Sequence, residues 1–222
     1  MSTPKTNTKA IERYIQAVSL YQQEGLFNPW AEVSPDEADP QHGAARRIER
    51  LRAHLQNPDV RVVLIGEAPG YQGARYSGIA FTSERLLLEG AIPRIPDLMG
   101  QRISTRPRPW SEPSASIVWK ALYEVGLAEQ TILWNSVPWH PHKPGNPHSN
   151  RTPTEEERAV GLEYLELFVQ LYPGAVIAAV GATSKKSLDE LGIEATLLRH
   201  PANGGATKFR QGLIELKESL DG

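Results

Sequence analysis

At 222 residues the chain is long enough for one ordinary domain with a filled core, and its 40% apolar and 23% charged residues are a normal balance for a globular protein. It has no cysteine, which excludes disulfides, thiolate metal sites, cysteine-ligated iron–sulfur clusters and a cysteine nucleophile. A formal net charge of −2 argues against coating nucleic acid by bulk attraction but leaves room for a local basic face.

There is no apolar run long enough to span a membrane, and "MSTPKTNTKAIERYIQ" lacks the apolar centre of a secretory signal, so a cytoplasmic protein is expected. In chain order, Ile11, Tyr14, Ile15, Val18 and Tyr21 form a helical stripe over residues 8–23. "LFNPWAEVSPDEADP" is an irregular crossing segment, and "AARRIERLRAHLQN" a second helix. "VRVVLIG" is β-branched and nearly continuous, as a strand covered on both faces of a parallel sheet should be. "SERLLLEGA" opens a helix with Ser83 as its expected N-cap. Residues 91–113, rich in proline and arginine, are expected to form a long loop before the helix "SASIVWKALYEVGL".

"TILWNSV" is the next strand, followed by the Pro- and His-rich "PWHPHKPGNPHSNRTP". Thr154 and Glu157 have the spacing of a capping box for the helix "EEERAVGLEYLELFVQLY". "GAVIAAVG" is a buried strand with its helix "ATSKKSLDELG"; "EATLLRHP" is a last short strand, and "KFRQGLIELKESL" the closing helix. The alternation predicts an α/β fold with a mainly parallel sheet, in one domain over 1–222. Residues 1–58 form its helical N-terminal part and 59–222 its sheet and motifs.

Ligands of such sheets bind beyond the carboxyl ends of the strands. Those ends are "GEAPG", "WNSVPWHPH", "VGATS" and "RHPANGG". In the first, Gly66 and Gly70 permit unusual backbone angles around Pro69; Glu67 is either an exposed turn residue or a carboxylate aimed at a ligand. Phe81, closing "YSGIAF", suits a core or a stacking face. Asn135 stands where strand propensity disfavours it, either bonding backbone or offering its donor and acceptor to a base edge. His200 is either an ordinary loop residue or a donor to developing negative charge.

"GEAPG" followed by "SGIAF", "WNSVPWHPH" on a later strand and "LLRHPANGG" near the end resemble the uracil-DNA glycosylase superfamily over residues 60–210. "GEAPG" is most similar to the thermophilic-type branch, and "LFNPW" to the single-strand-selective branch. The resemblance implies a three-layer α/β/α sandwich around a four-stranded parallel sheet, base flipping, and metal-free, cofactor-free hydrolysis of the bond joining uracil to deoxyribose in base-excision repair. It implies Glu67 and His200 as catalytic groups, the first handling water and the cationic sugar, the second supporting the leaving base. Gly66, Ala68, Pro69 and Gly70 would wall the base pocket, Phe81 would stack on uracil, and Asn135 would read its edge.

Three departures accompany the resemblance. The four cluster-binding cysteines of the thermophilic-type branch are missing. Gly70, with Tyr71 one residue later, stands where the best-known branch has a tyrosine that excludes thymine. "PANGGATKF" offers no bulky wedge before Phe209.

The implied partner is DNA carrying uracil or another deaminated base, single-stranded or mismatched, bound by a monomer. Arg94, Arg102, Arg106 and Arg108 in one loop, Lys185 and Lys186 after the third strand, and Arg199, Asn203, Gly204, Lys208 and Arg210 around the last motif are candidate DNA contacts. Trp110 would stack on a base or pack. Two rival readings are a metal-dependent hydrolase using His140, His142 and His148, and a binder that keeps the pocket without cutting.

Overall fold

The computed structural model describes residues 7–95 and 102–222; part of the expected proline-rich loop, residues 96–101, lies outside the described residues. Four strands, β2 (Val62–Gly66), β3 (Thr131–Asn135), β5 (Val176–Val180) and β6 (Thr196–Leu198), form a parallel sheet in the order β3-β2-β5-β6. The two strands after β2 are added on opposite sides of it, so the chain reverses direction across the sheet between β2 and β5. Open α/β sheets place their binding crevice at such a point.

Every residue of β2 is buried because helices cover both faces. Val62 and Leu64 point into one layer, with α4 (Glu84–Leu88), α5 (Pro113–Glu124) and α8 (Ala206–Asp221). Val63 and Ile65 point into the other, with α1 (Thr8–Leu20), α2 (Gly43–Leu55), α6 (Glu155–Val169) and α7 (Ala182–Glu190). This is the expected three-layer α/β/α sandwich, and the N-terminal helices share its second core with the sheet.

The capping box of α6 forms as its spacing predicts, and Arg151 holds the capping Glu157 through both guanidinium nitrogens at 2.6 Å. Ser83 does not cap α4: its hydroxyl is buried without a partner among the described residues. The next residue, Glu84, is buried and turns instead to the Pro-rich loop, accepting from the Ile103 and Ser104 amides at 2.7 Å, Ser104 Oγ at 2.6 Å and the Trp110 amide at 3.1 Å. Those bonds give this part of the expected loop a fixed course. α4 then stops within five residues, before Gly90 in the left-handed region.

Some short elements escape the sequence pattern. A two-residue antiparallel ribbon pairs β1 (Leu26–Phe27) with β4 (His140–Pro141), and one helical turn, α3 (Ala74–Ser77), follows the loop after β2. At the β3 edge of the sheet, the Leu133 amide donates to Nε2 of His54 on α2 at 3.0 Å.

Candidate active site

The carboxyl ends of β2 and β3 are joined beyond the strands themselves. Gly66 lies opposite Asn135, Ser136 N–H donates to Gly66 O at 2.8 Å, and Val137 N–H to Glu67 O at 2.9 Å. Glu67 and Asn135 therefore leave adjacent strands side by side. The chain returns over them at Phe81, whose backbone is in the left-handed region (φ +49°), an uncommon place for a bulky residue. Its ring lies so close to Gly66 that a Cβ there would stand 2.5 Å from Phe81 Cζ and 2.6 Å from Asn135 Oδ1. Only glycine permits that approach.

Glu67, Phe81, Asn135 and His200 line one pocket of about 90 Å³, closed by the Ala68–Gly70 turn, Ala74 and Glu112. It adjoins a wider groove of about 420 Å³, shared by Glu67, Glu112 and His200 and bordered by Asn150, Arg151 and Thr152. The sequence-predicted catalytic and base-reading residues thus meet at one point, although they are spread over 133 positions (67 to 200) of the chain.

Burial pushes the Glu67 carboxyl above the usual carboxylate range. His200 is held below the usual imidazole range, by burial first and the Arg199 charge second, so the ring is neutral. Its Nδ1 accepts from the Ala202 amide at 3.1 Å, which leaves the proton on Nε2 and makes that atom a donor. The Asn135 amide is buried, and among the described residues it has no side-chain hydrogen bond within the protein.

Glu112, which the sequence reading passed over, completes the wall. Its carboxyl lies on the loop after β2, where a Cβ on Gly73 would overlap Oε2 and one on Gly70 would be 3.7 Å from Oε1. Burial pushes it up to about 7. Glu112 is also the N-cap of α5, whose dipole favours the ionised form, but only by about 0.3–1 kcal/mol, less than one pH unit. Burial outweighs it.

Several expected residues lie elsewhere. Arg94 turns to Glu129 and the start of β3, donating to Glu129 O at 2.7 Å, at the opposite end of the sheet from the pocket. Arg210 pairs with Glu124 at 2.5 Å, and Lys185 with Asp189. Arg102 lies 3.8 Å from Glu84. Phe209 is wholly buried in the core and cannot be a wedge. Trp110 packs: Tyr76 stacks beside it at 5.3 Å, Arg106 covers its ring at 3.6 Å, and its Nε1 donates to Asp36 at 3.2 Å.

Tyr71 packs its ring edge on Trp110 at 5.3 Å and is not among the pocket walls, so Gly70 leaves that wall without a side chain. Arg108, Arg199, Lys186 and Lys208 are exposed, and Asn203 and Gly204 form the left-handed tip of the turn after His200.

The three histidines of the rival metal reading do not converge. His140 is buried, with Nδ1 3.1 Å from Arg75 and Nε2 2.9 Å from Ser149 O, so both ring nitrogens are engaged. His148 faces Tyr76, and no group of three potential ligands occurs among the described residues. The iron–sulfur cluster of the thermophilic-type branch likewise finds no fit, since the chain has no cysteine to hold it.

The molecule is thus a three-layer α/β/α protein whose parallel sheet carries, at its carboxyl edge, a small pocket presenting an aromatic face, an amide, an imidazole donor and two carboxyls. Residues 53–217 match the family described as the uracil DNA glycosylase superfamily, and the chain belongs to it. Its members are glycosylase hydrolases that act on DNA. Among solved structures, it is similar to wild-type SMUG2 of Pedobacter heparinus, with a TM-score of 0.66 and 17% identity over 96% of this chain and 98% of that one. No curated protein matches its sequence. Among the described residues, no helix is long and apolar enough to cross a membrane.

Proposed function

We propose that the protein is a monofunctional uracil-DNA glycosylase, hydrolysing the N-glycosidic bond of uracil flipped out of DNA, with other deaminated bases as further substrates of the same pocket. The observation that carries this reading is the meeting of Glu67, Phe81, Asn135 and His200 around one ring-sized pocket. Phe81 stacks on the base. Asn135 donates to uracil O4 and accepts from N3–H, a pair that cytosine reverses, leaving buried polar groups unpaired. Such mismatches discriminate by about 10⁴ or more.

Breaking the bond leaves a sugar with oxocarbenium character and negative charge on the base. Glu67 orients the attacking water and stabilises the sugar, while His200 Nε2–H donates to uracil O2; the two act on opposite ends of one transition state. Extrusion costs a few kcal/mol, least in single strands and mismatches, so these are the favoured substrates. On this reading the protein works as a cytoplasmic monomer without a cofactor. Arg106, Arg108, Arg199, Asn203, Gly204 and Lys208 meet the DNA backbone.

The test is base release from labelled oligonucleotides, single-stranded and duplex, each with one uracil, in the presence of EDTA. Alkali-labile breaks at uracil are expected. No release from uracil, hypoxanthine, xanthine or thymine mismatches, with tight binding to uracil-DNA, would replace the enzyme by a binder. Because Gly70 leaves the pocket wall without a side chain, the thymine mismatch also measures how well a 5-methyl group is excluded.

A further inference from the structure

One wall of the pocket has no task in the proposed reaction. With His200 at O2, Asn135 at N3–H and O4, Phe81 on the ring face and Glu67 at the sugar, a bound uracil is met everywhere except along its C5–C6 edge. The lining that remains for that edge is the Ala68–Gly70 turn, Ala74 and Glu112. Gly70 offers no side chain, and Ala68, Pro69 and Ala74 offer short apolar ones. Glu112 alone brings a long side chain ending in polar atoms.

The space in front of Gly70 is bounded by side chains from two other parts of the chain. A Cβ placed on Gly70 would find Asn150 Nδ2 at 3.6 Å and Glu112 Oε1 at 3.7 Å. Asn150 is committed to backbone, its Oδ1 accepting from the Tyr71 amide at 2.9 Å, and it borders the outer groove rather than the pocket. Glu112 borders both, and among the described residues no hydrogen bond or ion pair engages its carboxyl.

That carboxyl is also supported from behind. A Cβ on Gly73 would stand 2.0 Å from Oε2 and 2.9 Å from Cδ, so the group already rests on backbone that only glycine leaves free. It has no room to back away in that direction. A methyl group at ring position 5 would press on it, and would take water from a polar group without giving a hydrogen bond in return. A hydrogen at the same position stops short of that contact.

We propose that Glu112, reaching in from the start of α5, sets specificity at ring position 5: it refuses a methyl group there and so separates uracil from thymine. This rests on the glycosylase reading and deepens it. The wall that Gly70 leaves without a side chain is closed by a residue 42 positions later (70 to 112), from a different element of the fold.

The test is the ratio of single-turnover release rates from a guanine–uracil and a guanine–thymine mismatch in one duplex sequence. It is measured for the wild type, Glu112→Ala and Glu112→Asp. Both rates are read on the same preparation, so the ratio does not depend on how much of the protein is active. The wild type should release uracil faster by on the order of 10–200-fold, the range that one such group controls in a fitted pocket. Glu112→Ala should lower that ratio by about tenfold or more, with an absolute gain on thymine. A merely structural part for Glu112 would lower both rates and leave the ratio in place.

Glu112→Asp covers the case in which Glu112→Ala does not fold. Aspartate is a favoured residue at a helix N-cap, which Glu112 is, and its side chain is one methylene shorter. Its carboxyl withdraws from the wall, so the ratio should fall in the same direction. A wild type that releases thymine as readily as uracil, or a ratio unmoved in every variant that folds, would overturn this role and leave the glycosylase reading standing. A wild type that releases neither base removes that reading and this role with it.

Discussion

The contact of Phe81 with Gly66 gives the most direct test of how the pocket is built. In Gly66→Ala the new methyl would stand 2.5 and 2.8 Å from Phe81 Cζ and Cε2 and 2.6 Å from Asn135 Oδ1, all well inside ordinary contact. The ring cannot retreat cheaply: it is 8% exposed, packed in the core around Leu64 and Trp119, and carried on a left-handed backbone. Overpacking of this kind costs about 1–3 kcal/mol. At about 2–4 °C per kcal/mol for a chain of this size, the melting temperature should fall by roughly 2–12 °C.

Whatever movement relieves the clash displaces Phe81 or Asn135, both of which line the pocket, so uracil release should fall together with stability. Gly70→Ala is the control, because its methyl would find its nearest neighbour at 3.6 Å, an ordinary distance, and should cost little stability. Thermal melting followed by circular dichroism, with base release on the same preparations, decides the matter. A Gly66→Ala protein that melts with the wild type and releases base at the wild-type rate would refute the reasoning.

Glu67→Gln should keep uracil-DNA affinity and lose about 10²-fold or more in turnover, measured as binding against single-turnover rate; an unimpaired rate would remove the water-handling role. Asn135→Asp should narrow the preference for uracil over cytosine, read from release rates on matched oligonucleotides, and an unchanged ratio would mean that another group reads the edge. Alanine at Lys208 and Arg199 should weaken binding to all sequences alike and flatten its dependence on salt, read from affinities at several ionic strengths; an unchanged slope would place the DNA elsewhere. Burial lowers His54 and His140 to about 3 each, so below about pH 6.5 the unfolded chain takes up protons that the folded one refuses. Stability should therefore fall as pH drops from 6.5, on the order of 1 kcal/mol per pH unit per histidine, and a melting temperature level from pH 7 to 5 would contradict that burial.

The sheet was readable because buried parallel strands are written as near-continuous apolar runs: "VRVVLIG", "TILWNSV" and "GAVIAAVG" contain β2, β3 and β5. β6 shrinks to three residues, two of them exposed, and its weaker pattern reflects that. Ribbon β1–β4 was not readable, since a two-residue pairing between positions 26–27 and 140–141 leaves no periodicity. Glu67, Asn135 and His200 could be singled out because they sit at or just beyond strand ends, where polar residues need a reason. Glu112 was missed for the opposite reason: an acid before proline at a helix start is an unremarkable surface choice. Its only trace is Gly73, whose missing side chain makes sense once the carboxyl is seen lying against it. The arginines were misjudged where tertiary partners such as Glu129 and Glu124, invisible in local sequence, claim them.

The bond from Leu133 to His54 bears on how the chain behaves outside its working conditions. An outer strand with an unpaired amide is a template that another chain can extend. Here α2 covers it with an imidazole that can accept only while Nε2 carries no proton. The opposite edge strand offers three residues, too short to be much of a template. Acid that charges His54 would thus weaken the fold and uncover a strand edge by the same event, so the protein's tendency to self-associate should rise just where its stability falls.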